Sequence, residues 1–303
     1  MFEFAPAFGD LLRSISFAPH WLALLAGASA LYAIGVRHAR VGRPEIKFLR
    51  LRAAAFVLGM VTLWIAVLGP IEHYGNQALW VNFTGFLLIT MVAAPLFVLA
   101  SPLTLAFRAL GKSGSARLRR FYRGFPMSWI TFPPATWLAF AVVTYAWQFT
   151  SLTDLAAQYS LVRDAQLFTL LLVGIMFWYP AFPVDPIRWR LAHPLRGLYV
   201  VLEMAHKALF GGMFLSMEST FHTSFHENAA AWAPVPTTDQ NLAILILWVG
   251  GNLVFVAALA AIVVAWLQYE SRNNHRIDIR LAKQREAERQ RQAALEQVFH
   301  KPV

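Results

Sequence analysis

The chain has 303 residues, of which 58% are hydrophobic and 14% charged, with a mean hydropathy of +0.50 and a formal net charge of +10. Soluble domains carry about 25% charged residues, so water is not the main solvent of this chain. Cysteine is absent, which excludes disulfides, thiolate nucleophiles and thiolate-held metals. Any metal would have to use His, Met, carboxylate or backbone oxygen. These features predict an all-α, polytopic membrane helical bundle with about seven transmembrane helices.

Apolar segments mark residues 17–36, 53–68, 78–99, 134–150, 166–179, 197–217 and 242–268. About 20 helical residues cross the hydrocarbon. The second, fourth and fifth are short by that measure and need flanking residues or local thinning of the bilayer. Pro180, Pro183 and Pro186 are expected to end the fifth. The chain then divides into a periplasmic N-terminal segment (1–16), a seven-helix transmembrane domain (17–268) and a charged cytoplasmic helical tail (269–303). No cleavable signal peptide is expected, because MFEFAPAFGD lacks a positive n-region. No internal repeat is seen, which disfavours a transporter built on inverted repeats.

All but three of the 26 Lys and Arg residues fall in the 37–52, 108–123 and 188–196 loops or in the tail. The exceptions are Arg13, Arg163 and Lys207. A charge this sorted reads as a topology signal rather than a nucleic-acid surface. By the positive-inside rule the basic side is cytoplasmic, with the N-terminus periplasmic and the C-terminus inside, in a bacterial inner membrane. The tail is rich in Ala, Gln, Glu and Arg, with a thin stripe of Ile277, Leu281, Leu295, Val298 and Phe299. It reads as a solvated extension of the last helix, or as a docking helix for a partner or anionic lipid.

The other side is poor in cations and carries metal-ligand types. His73 precedes the third segment. His222 and His226 stand in MESTFHTSFHENAAAWAPVPTTDQ, with Met213 and Met217 just before or at its start. On a helix, histidines four apart share one face, and imidazole and thioether both suit copper. Solvated loop histidines are the bland alternative. In the sixth segment Glu203, His206 and Lys207 are ionisable groups inside a membrane helix, each costing about 2.5–3.5 kcal/mol at its centre. Glu203 and Lys207 are spaced to pair. They read either as a relay or as a structural lock. No Walker loop, GxGxxG or nucleophile elbow appears, and no catalytic residue is assigned: the chain is not expected to be an enzyme. With His206 as the one histidine well inside a segment, axial ligands for two haems are lacking.

Three stretches resemble a known family. Residues 87–102, LLITMVAAPLFVLASP, resemble the third-helix signature of the CtaG family of cytochrome c oxidase assembly factors. Phe177-Trp178-Tyr179-Pro180 and Pro183-Val184-Asp185-Pro186 resemble its WWP…PDP turn. Trp232 and Pro234, followed by Asp239-Gln240-Asn241-Leu242-Ala243 and Trp248, resemble its DQxLA segment. The resemblance implies a seven-helix membrane fold and a role in maturing a haem-copper oxidase, whose subunits or another respiratory complex would be the partners in the bilayer. It leaves copper or no cofactor as the alternatives, and does not transfer a copper site residue by residue. This chain departs from the pattern at the histidines the family places before the third-helix signature and at the start of the fifth helix. It reads Trp80-Val81-Asn82-Phe83-Thr84-Gly85-Phe86 and Asp164-Ala165-Gln166 there, and Asn and Gln are poor Cu(I) ligands. Two readings follow: an assembly factor delivering copper at the outer membrane face through His73, His222, His226, Met213 and Met217, or a non-metal accessory or scaffold subunit.

Overall fold

Long apolar runs with their backbone groups satisfied inside each segment can only be helices in a bilayer, and helices are what the chain forms. The structure, a computed structural model, describes residues 14–42, 46–110, 114–117, 120, 124, 131–185, 188–216 and 219–299, and among them there is no strand. In chain order the helices are α1 (Pro19–Gly42), α2 (Ile46–Val67), α3 (Pro70–Tyr74) and α4 (Leu79–Leu87), the last continued by a π-helical stretch (Leu88–Ala93) into α5 (Ala94–Leu99). Then come α6 (Pro102–Ala109), α7 (Pro133–Phe149), α8 (Leu152–Gln158), α9 (Ser160–Ala181), α10 (His193–Leu215) and α11 (Thr223–Glu227). Helix α12 (Pro236–Leu245) runs through a second π-helical stretch (Ile246–Gly250) into α13 (Gly251–Phe299).

Six helical stretches among the described residues are long and apolar enough to cross a membrane. Helix α7 has 17 residues, about 26 Å of rise against roughly 30 Å of hydrocarbon. It packs inside the bundle, with Phe140 against Phe177 at 4.5 Å between ring centroids and the Trp147 indole donating to Thr169 Oγ1. The chain is therefore a membrane protein of about seven helices. Two segments expected to be short are not. Helix α2 reaches back to Ile46 and takes in Arg50 and Arg52, and α9 spans 22 residues. As expected, α9 ends within the proline cluster, at Ala181 between Pro180 and Pro183, with Pro180 carried in its last turn. A proline near a helix C-terminus removes one ladder bond without breaking what precedes it.

The core is aromatic. Phe83, Phe86, Phe140, Phe177, Trp178 and Phe255 are almost fully buried, while Leu31, Leu138, Leu209 and Leu253 are exposed on the outside of the bundle. In water that pattern would be a liability; in lipid it is the expected surface. Small residues allow close approach where the helices touch. A Cβ on Gly174 would lie 2.9 Å from Ala94 Cβ, and one on Gly211 would lie 2.8 Å from the Trp248 ring. The π-helical stretch at Leu88–Ala93 widens the backbone ladder, and the Trp178 indole donates to the Thr90 carbonyl there at 2.8 Å.

The loops sort to two ends. Leu103 and Thr104 meet Asp185, Phe132 meets Trp189 and His193 stacks on Tyr269 at the basic end. Glu72 meets Arg163 and Asp154 meets His222 at the other. Helix α13 runs unbroken from the bundle into the charged tail, whose described side chains through 290 are exposed.

Candidate functional site

The cation-poor end is built from three linked polar groups. Arg163 opens the first turn of α9 and is buried, so its charge needs a partner. It finds Glu72 on α3, with Nη2 2.7 Å from Oε2 and Nε donating to the same carboxylate. Its Nη1 donates to Gln166 Oε1 at 2.7 Å, and Gln166 Nε2 donates to Thr153 Oγ1. Thr153 in turn donates to the Trp147 carbonyl. A buried ion pair persists only where its remaining donors are satisfied in this way.

The second group is centred on Asp154 of α8. Its Oδ1 accepts from the Ser224 amide at 3.1 Å, capping the start of α11, and its Oδ2 lies 3.2 Å from His222 Nδ1. The other ring nitrogen of His222, Nε2, donates to the Gln148 carbonyl at 2.9 Å. His222 is 2% exposed, so both nitrogens are committed inside the protein. The third group is Asp164, whose Oδ1 lies 3.0 Å from His20 Nε2 and accepts from the Trp21 indole at 2.8 Å. Between the first and third of these groups lies a vestibule of about 530 Å³, lined by His20, Glu72, His73, Asn76, Arg163 and Asp164.

The expected ligand set is dispersed over this end rather than gathered. His73 is exposed on the vestibule wall, edge-on to Tyr74. His222 precedes α11 and turns into the bundle, whereas His226 sits half-buried in its last turn, so the two do not share one helix face. Met213 is on the exposed side of α10. Met217 lies outside the described residues. Among the described residues no three His, Asp or Glu side chains stand close enough to hold a metal ion. Among the described residues the expected donors are not gathered: the buried His222 is spent on a carbonyl and a carboxylate, and Arg163 lines the vestibule.

Inside the membrane, Glu203 is 1% exposed, and its Oε2 has no hydrogen bond but lies 3.4 Å from His206 Nδ1. The Tyr145 hydroxyl is 3.4 Å from the same nitrogen, and Trp137 packs against the imidazole. Lys207 does not take the expected place beside Glu203. Its ammonium lies over the rings of Phe140 and Phe255, at 5.4 and 5.8 Å, and no Glu203–Lys207 contact is among the ion pairs of the described residues. Rotation about the long lysine side chain lets it trade a carboxylate for two aromatic faces.

Two aspartates of the family-like motifs have structural work. Asp185 is fully buried and accepts from the Thr104 amide and hydroxyl at 2.8 and 2.6 Å, from the Leu103 amide and from the Tyr179 hydroxyl. It thereby caps α6, whose N-cap, Ser101, adopts a left-handed φ of 54°. Asp239 does the same for α4 from α12. The profile of the cytochrome c oxidase caa3 assembly factor (Caa3_CtaG) family matches residues 30–269. The chain belongs to that family. Relatives include an uncharacterized protein of Mycobacterium leprae (ML1998), 25% identical over 76% of this chain and 35% of its own length. Uncharacterized proteins of Mycobacterium bovis (Mb0105) and Mycobacterium tuberculosis (MT0111) are each 25% identical over 75% of this chain and 36% of theirs. The chain thus spans about a third of the length of these relatives. No solved structure matches it.

The chain's capping aspartates and its Arg163–Glu72 pair escaped the sequence reading as a site. The signal in the sequence is charge sorting: Arg163 is one of two cations, with Arg13, on a side whose loops otherwise hold acids, and a buried arginine there calls for an acidic partner.

Proposed function

We propose that this membrane protein assists assembly of a haem-copper cytochrome c oxidase as a non-catalytic binding platform, without holding a copper ion of its own. The family supports the oxidase connection. The observation that carries the platform reading is His222, held at both nitrogens by Gln148 and Asp154. One of the histidines that would have to release a metal quickly is instead locked into the fold. Asn82 and Gln166, in the two stretches where the family has histidines, are also buried structural groups. Asn82 Nδ2 donates to the Gly75 carbonyl, and Gln166 bridges Arg163 to Thr153. The partner would engage the vestibule end, where rigid polar groups surround an open cavity. With the basic loops cytoplasmic, that end faces the periplasm of a bacterial inner membrane, the N-terminus is outside and the C-terminus inside.

Copper delivery at that face is the second reading, favoured by exposed His73 beside the vestibule and by Met213. Metal analysis of the purified protein after Cu(I) loading, with co-purifying partners identified, separates the two. An oxidase partner at near-equal stoichiometry without bound copper supports the platform. Stoichiometric copper lost on His73→Ala/His226→Ala substitution overturns it in favour of delivery.

A further inference from the structure

At the basic end, an open groove of about 480 Å³ runs between the start of α7 and the outward flank of α10. Its floor and walls include Pro134, Trp137, Leu195, Leu198 and Leu202, with Trp189 and Arg190 at the mouth. Leu198 and Leu202 are 60% and 53% exposed. On the flank of a membrane-spanning helix, such leucines face hydrocarbon. From Leu195 to Leu202 the groove follows α10 for about 10 Å, the scale of an acyl chain segment rather than of a headgroup.

The mouth is cationic. Arg188 stacks over Trp189 at 5.1 Å. Arg190 lines the groove, is exposed and spends Nη2 on the Asp185 carbonyl; Arg196 stands behind the lining and spends Nε on the carbonyl of Leu191, which is part of it. Each guanidinium carries five N–H donors, so most remain for a ligand. No carboxylate among the described residues pairs with Arg190 or Arg196, and Asp185, the nearby acid, has its oxygens committed to α6 and Tyr179. A groove with lipid-facing apolar walls and arginines at its mouth, at the membrane boundary, complements an amphiphile with an anionic head. Basic pockets between membrane helices take acidic phospholipid headgroups on this logic.

We infer that this groove binds one acidic glycerophospholipid of the surrounding bilayer. The phosphate sits at Arg190 and Arg196, and an acyl chain lies along Leu195, Leu198, Leu202 and Trp137. Bound there, the lipid would brace the α9–α10 turn that carries Asp185.

Native mass spectrometry of the full chain from detergent tests this, with added dioleoylphosphatidylglycerol or dioleoylphosphatidylcholine. Wild type should retain the glycerol lipid preferentially. Each arginine near a lipid surface contributes about fivefold in affinity, so Arg190→Gln/Arg196→Gln should lower that retention at least about tenfold, to the choline-lipid level. Because both arginines also hold main-chain carbonyls, Leu198→Trp provides a second test: it fills the groove, leaves the arginines in place and should abolish tight retention of the glycerol lipid. Equal retention of the two lipids by wild type would overturn the assignment, as would an undiminished preference in either folded variant.

Discussion

Asp239 caps a helix that begins 160 residues before it. Its Oδ2 accepts from the Leu79 amide at 2.8 Å and its Oδ1 from the Trp80 amide at 2.9 Å. The first amides of a helix have no partner in their own backbone, and no side chain adjacent in sequence caps α4. The aspartate of a family-like motif therefore joins α12 to α4. Asp239→Ala should lower stability by about 1–3 kcal/mol, read as a lower melting temperature in detergent. Asp239→Asn, which keeps one acceptor, should recover part of the loss. Equal melting of wild type and Asp239→Ala would remove the cap from the account.

The Arg163–Glu72 pair should behave as a buried pair. Removing one partner leaves an uncompensated charge, costing about 3–5 kcal/mol, whereas removing both is far less harmful. Arg163→Leu or Glu72→Leu should each reduce folded yield and melting temperature. The double variant should melt above the Arg163→Leu protein. Additive losses would contradict a coupled pair.

Lys207 is predicted to be dispensable for folding. Its ammonium rests on two aromatic faces rather than in an ion pair, and a lysine at mid-membrane costs roughly 2.5–3.5 kcal/mol. Lys207→Met should melt at or above the wild-type temperature. A marked drop would mean that Lys207 and Glu203 act as a lock after all.

Topology has its own check. A reporter fused after Val303 should be active in the cytoplasm, and one at the 228–234 loop should be active in the periplasm. The reverse pattern would invert the assignment of the vestibule to the outer face.

The bundle was legible in the sequence because membrane segments obey a one-dimensional rule: apolar length and flanking arginines suffice. Helix starts were less legible, since Arg50 and Arg52 continue α2 and α9 begins at Ser160, taking in Arg163 and Asp164. The site was least legible, because its contacts are long-range. His222 lies 68 residues from Asp154 and 74 from Gln148, so nothing in its neighbourhood announces that both nitrogens are occupied. The spacing of His222 and His226 suggested one helix face, yet α11 begins only after His222. Lys207 shows the same limit: a spacing that permits an ion pair does not exclude a better aromatic alternative.

The central claim is that this chain supports oxidase assembly without presenting a copper site. Its most direct test is the cytochrome c oxidase activity of membranes from cells lacking the chain and complemented with a variant carrying His73→Ala, Met213→Leu, Met217→Leu and His226→Ala. Oxidase activity equal to that restored by the wild-type chain, at equal protein level, is the predicted result. Loss of that activity with recovery on added copper would contradict the account and establish delivery.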